Sequence, residues 1–101
     1  MSESDIEKHL VAQVKALGGE VRKVQWVGRR GAPDRLVMLP PTWRDRLGSK
    51  SWGSPTAFWV ELKAPGKTAE PHQLREHARM RRMGQTVVVI DSIEAVDELL
   101  A

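Results

Sequence analysis

The sequence predicts an α/β domain with the element order αβββαβα. Helix-period apolar patterns at 4–17 and 71–83 are interleaved with strand-like runs at 20–27, 34–39 and 57–63. In addition, "QTVVVID" (85–91) is a near-continuous apolar run of the kind buried on both faces of a sheet. At 101 residues the chain is expected to be one domain, 1–101, with a real core but little material to spare, so dimerisation would help it.

In the first helix Ile6, Leu10, Val14 and Leu17 recur at helical spacing, and Gly18-Gly19 stops it. At 100° per residue the apolar arc extends to Val11, and Glu7 falls inside it, with Glu3 on the same side one turn earlier. Two readings of Glu7 stand side by side: an inward-facing functional acid, or the partner of Ser4 in a capping box. The strand "EVRKVQWV" puts Val21, Lys23, Gln25 and Val27 on one face and Arg22, Val24 and Trp26 on the other, before "GRRGAP" breaks the chain.

The next strand, "DRLVML", opens with Asp34 directly after Pro33, which is turn chemistry or a carboxylate held at a sheet's end. In "AFWVELK", Glu61 and Lys63 share one face while Val60 and Leu62 share the other. Taken alone, a solvated strand face accounts for that pair. The connection 40–56 is long for so small a domain and holds Trp43, Arg44, Arg46, Lys50 and Trp52. Contact with unstacked bases and phosphates, a tryptophan-anchored lid and a dimer contact all suit it.

Pro71 fits the first turn of the second long helix, and Gly84 ends it. Gln73 and His77 intrude on the side marked by Leu74, Met80 and Met83, while Arg75, Arg79 and Arg82 form a separate basic row. A short helix, 93–100, follows the N-cap candidate Ser92.

The net charge of +3 conceals a division: residues 1–7 carry −3, residues 91–101 carry −4, and residues 8–90 carry +10. A basic middle of that size suits a polyanion, most simply nucleic acid. The absence of cysteine excludes disulfides, thiolate nucleophiles and cysteine-ligated zinc, so a metal here would be a hard, oxygen-bound one. The acidic N-terminus has no signal-peptide pattern and no apolar run is of membrane-spanning length, so a soluble, cytoplasmic protein is expected.

If 34–39 and 57–63 pair as a hairpin around the long connection, Asp34 and Glu61 converge. Two convergent carboxylates suit Mg²⁺ or Mn²⁺. A lysine beside them can orient a water and stabilise negative charge on a phosphate, which is the chemistry of metal-assisted phosphodiester hydrolysis.

Pro33-Asp34 with Glu61-Leu62-Lys63 resembles the PD-(D/E)xK nuclease superfamily, and more closely the VRR-NUC domain in the small standalone form found in phages. The matching segments "ESDIEKHL", "GAPDRLV", "FWVELKAPGK", "HQL" and "VVVIDS" span nearly the whole chain. The resemblance implies a restriction-endonuclease-like fold, a mixed central sheet flanked by helices. It also implies Asp34, Glu61 and the Leu62 carbonyl as ligands of Mg²⁺ or Mn²⁺, Lys63 as the catalytic lysine, Glu7 as the helix-one acid and Gln73 as the supporting glutamine.

By the same resemblance the protein is a homodimer that cuts branched DNA, such as a four-way (Holliday) junction, in the bacterial host cytoplasm if phage-encoded. The connection 40–56 departs from it, being longer than the turn expected in short relatives. Arg29, Arg30, Lys67, Arg75, Arg79 and Arg82, with Arg44 and Arg46 of that connection, are candidates for phosphate contact. The rival readings are a sequence-directed restriction or nicking nuclease on duplex DNA, and a non-catalytic DNA-binding module.

Overall fold

Residues Glu3–Ala16 form α1, followed by β1 (Glu20–Lys23), β2 (Arg35–Met38), β3 (Ala57–Leu62), α2 (Pro71–Arg82), β4 (Val87–Ile90) and α3 (Ile93–Leu99) in a computed structural model that describes residues 1–44 and 55–101. The strands make one mixed sheet in the order β1-β2-β3-β4, with β1-β2 and β2-β3 antiparallel and β3-β4 parallel. The predicted element order and the α/β class therefore hold. β4, whose sequence reads as buried on both faces, nevertheless pairs on one side only among the described residues. Its Val87 and Ile90 are buried and Val88 packs on the core, which accounts for the apolar run without a central position.

Alternation along β3 divides the molecule. Phe58, Val60 and Leu62 belong to one buried cluster with Ile6, Leu10 and Val14 of α1, Val37 of β2 and Val96 of α3. Each such side chain contributes roughly 1.5–3 kcal/mol relative to exposure. Trp59 and Glu61 project to the opposite face, where α2 lies. Val11 is 43 % exposed, so the apolar arc of α1 is narrower than its sequence suggests.

Several expectations are corrected. α1 is capped by Ser2, whose hydroxyl accepts from the Asp5 amide while the Asp5 carboxylate accepts from the Ser2 amide. Ser4 and Glu7 do not form the cap, because the helix begins one residue before Ser4. Those hydrogen bonds from Ser2 hold the Asp5 carboxyl below its ordinary pKa.

β1 stops at Lys23 instead of reaching Val27. The Val24 amide still donates to the Asp34 carbonyl at 2.9 Å, but β2 has no residue to pair with 25–27. The chain turns back instead, and Trp26 Nε1 donates to the Pro33 carbonyl at 2.8 Å. On α2 the buried face is Glu76, His77 and Met80, whereas Leu74 and Met83 are 52 % and 67 % exposed.

Trp43 is buried at 3 % exposure with its ring edge-on to Phe58, and Arg44 lies over it at 4.5 Å from the centroid. This Trp43 is thus a core residue, not a platform for unstacked bases. Arg46, Lys50 and Trp52 lie outside the described residues.

Candidate active site

Arg35 pairs with Val60 across the β2-β3 ladder, and continuing that register by one residue sets Asp34 opposite Glu61. The hairpin inferred from sequence thus forms and brings the two carboxylates to one end of the sheet. Their environments differ. The Asp34 side chain is 59 % exposed, at an open rim, whereas the Glu61 side chain is 11 % exposed, at the floor beneath α2. A solvated strand face therefore does not describe Glu61.

Burial is the main reason that the Glu61 carboxyl is pushed up to about 7. Lys63 opposes that rise, and the negative charges of Asp34 and Glu3 add to it. The physical content is a buried acid among other acids, a setting that favours either a proton or a cation.

Lys63 follows β3 directly, its amide bonded to the Ile90 carbonyl at 2.9 Å. Its ammonium donates to Gln73 Oε1 at 2.7 Å, and the same oxygen accepts from the Glu70 amide at 2.8 Å. Gln73 therefore does two jobs: it completes the first turn of α2 and fixes the lysine's position.

One turn further along α2, His77 is fully buried with Nε2 3.3 Å from Glu61 Oε1. Burial first, then the charges of Arg81 and Lys63, lower the His77 pKa, so the ring is neutral at ordinary pH. With its proton on Nε2 the ring donates to Glu61, leaving Nδ1 a buried acceptor that has no hydrogen-bond partner among the described residues.

Glu7 does not stand alone on the arc of α1. Arg35 donates to its carboxylate through Nε at 2.8 Å and through Nη2, and its Nη1 meets Asp34 Oδ1 at 2.9 Å. Burial disfavours the Arg35 charge, but the Glu7 and Asp34 carboxylates outweigh it and raise its pKa. Glu7 thus reaches the site through Arg35, while Glu3 is the α1 acid whose charge acts on Glu61.

The basic candidates are placed unevenly. Arg29 lies 3.6 Å from the buried Glu76 carboxylate, which also accepts from Arg79 Nε at 3.2 Å. Arg30, Lys67, Arg75 and Arg82 are exposed. The 24–33 loop that carries Arg29 packs close to α2, since a Cβ on Gly31 would stand 2.8 Å from the His72 carbonyl oxygen and its φ is +86°.

Arg35, Glu76 and the bond from His77 to Glu61 were not legible beforehand. His77 carried a signal, lying four residues after Gln73 on one helix face; Arg35 and Glu76 carried none that a solvated charge would not also give.

Among the described residues no three His, Asp or Glu side chains form a metal cage. Two carboxylates suffice for Mg²⁺, which keeps several waters, so the donor set fits a hard cation. No helix among the described residues is long and apolar enough to cross a membrane.

No family model matches the chain. It is 46 % identical over 90 residues to a protein of Acyrthosiphon pisum secondary endosymbiont phage 1 described as "Putative nuclease p44", covering 89 % of this chain and 83 % of that one. A solved structure described as a VRR_NUC domain superposes with a TM-score of 0.76 at 38 % identity, covering 97 % of this chain and 92 % of that one. With the mixed four-stranded sheet and the hairpin that sets Asp34 against Glu61, these likenesses establish that the chain belongs to the VRR-NUC family of nucleases, with a restriction-endonuclease-like α/β fold.

Proposed function

We propose that the protein is a metal-dependent, structure-selective DNA endonuclease that hydrolyses phosphodiester bonds at branched DNA, four-way junctions included, and acts as a homodimer. The observation that carries this reading is Asp34 set opposite Glu61, with Lys63 on the same strand face and held by Gln73.

Asp34, Glu61 and the Leu62 carbonyl would hold the ion. Bound there, Mg²⁺ or Mn²⁺ supplies Lewis acidity and lowers the pKa of water. The chain's own groups do the rest. Lys63 places a positive charge beside the scissile phosphate and orients the attacking water. Gln73 restricts the lysine to that position, and His77, with its proton on Nε2, restricts the rotation of Glu61 by donating to one of its oxygens. Glu7 steadies Asp34 through their shared Arg35, and Glu3 contributes negative charge near Glu61.

Arg29, Arg30, Lys67, Arg75, Arg79 and Arg82, with Arg44 and Arg46, hold phosphates without reading sequence. One chain carries one such site, so paired incisions across a junction require two copies. The setting is the cytoplasm, that of a bacterial host if the chain is phage-encoded.

The test is cleavage of a labelled four-way junction and of its linear duplex in Mg²⁺, Mn²⁺ or EDTA, wild type beside Asp34→Asn. Metal-dependent cutting of the junction that Asp34→Asn abolishes while still binding DNA is the expected result. Equal cutting of duplex would replace junction selectivity with a restriction-type activity, and binding without cleavage in every metal would sink the enzymatic reading.

A further inference from the structure

Beside Asp34 lies a cavity of about 600 Å³ whose walls include Lys23, Gln25, Trp26, Arg29 and Arg35. It joins the Trp26 ring, the Gln25 amide and the cations Lys23, Arg29 and Arg35, with Arg29 ion-paired to Glu76 and Arg35 to Glu7 and Asp34, and Asp34 itself is among its lining residues.

Trp26 is 36 % exposed, yet it is held at both ends. Its indole nitrogen is bonded to the Pro33 carbonyl, and its ring leans on Trp59 with centroids 5.1 Å apart. Trp59 is held in turn by Gln85, which accepts from its indole nitrogen at 3.0 Å. A large apolar ring fixed in this way and left partly bare is an organised stacking surface, because little rotamer freedom remains to be lost when a ligand lies on it.

We propose that this cavity takes an unpaired nucleobase of the DNA substrate, stacked on Trp26, from the nucleotide adjoining the phosphate at Asp34. The inference rests on the nuclease reading above and names a determinant of its substrate class.

Three considerations select a base over other occupants. A nucleotide joined to the scissile phosphate is within reach of a hollow that Asp34 helps to line. Lys23 and Arg29 supply positive charge for its backbone, while Trp26 and Gln25 supply a π-face and an amide for its base. Finally, a base inside a duplex offers its edges but not its face, so the ring is useful only to a base already out of the stack. Unpaired nucleotides at a flap or gapped branch meet that condition without the cost of extrusion, and a fully paired four-way junction meets it by opening a pair at its crossover, which gives a physical route from this pocket to preference for branched over linear DNA.

The experiment measures binding, so it is independent of cleavage. Fluorescence anisotropy in EDTA compares a labelled oligothymidine with an oligomer of the same length made of abasic units, for wild type, Trp26→Phe and Trp26→Ala. Wild type should prefer the base-bearing oligomer by roughly ten-fold, as expected for stacking on one aromatic ring. Trp26→Phe should keep most of that preference, and Trp26→Ala should bind both oligomers equally.

Equal affinity of wild type for the two oligomers overturns the proposal, even if Trp26→Ala were to fold poorly, since the base is removed on the DNA side. An undiminished preference in folded Trp26→Ala overturns it too. Failure of the nuclease reading looks different: base preference would persist while no DNA is cut in any metal.

Discussion

The two faces of β3 are built on opposite terms. Toward α1 and α3 the strand presents Phe58, Val60 and Leu62, all buried in an apolar cluster. Toward α2 it presents Trp59 and Glu61, and α2 answers with Glu76 and His77, both buried and both polar. Burial on the first face is favourable in itself. On the second it carries a desolvation cost offset only in part by hydrogen bonds and neighbouring charges. The comparison teaches that a chain of 101 residues gathers most of its buried apolar side chains on one side of the sheet and its buried polar ones, with Met80 and Val87, on the other.

The strongest way to break that division is to damage the apolar side alone. Phe58→Ala should cost about 3–5 kcal/mol in urea unfolding, a large share of what a small domain possesses. Activity lost in that variant should return in proportion to the folded fraction. The converse change is Lys63→Ala, which should slow cleavage on the order of 10²–10³-fold, as for loss of one transition-state donor. Its unfolding midpoint should stay near that of wild type; loss of folding would assign Lys63 a structural role.

Gln73 sharpens the contrast because it serves both purposes. Gln73→Ala should lower stability by about 0.5–2 kcal/mol, as for loss of a helix cap. It should also reduce turnover more than the folded fraction explains, because Lys63 loses its anchor.

The finest test uses pH on metal-free protein. The fold raises the Glu61 carboxyl from 4.5 to about 7, so it favours the neutral form. The stability this contributes is fully present below pH 4.5 and is lost as pH rises through about 7. Glu61→Gln, which cannot ionise, escapes that loss. Its Tm relative to wild type should therefore climb by a few degrees from about pH 5 to about pH 8, and parallel profiles would remove Glu61 from the buried, strained role assigned to it.

By itself the sequence determined the element order and the α/β class; the pairing of β2 with β3 is only a condition of the site reading, and Asp34, Glu61 and Lys63 stand out by residue type together with the family resemblance. The order and the class follow from local rules: helix and strand periods, with glycine and proline as breaks. It did not determine which carboxylate is open and which is closed, nor that Gln73 grips Lys63. It also left unseen that Arg35 joins Glu7 to Asp34, and that α2 buries its polar face instead of Leu74 and Met83.

Those features arise only when three elements meet. A charged residue looks the same in sequence whether water or another side chain surrounds it, and tertiary packing alone sets its desolvation and its partner. The same holds for the tryptophans. Trp43 belongs to the core and Trp26 to the rim of a cavity, because one packs edge-on to Phe58 inside the apolar cluster while the other sits on a loop turned back beside Asp34.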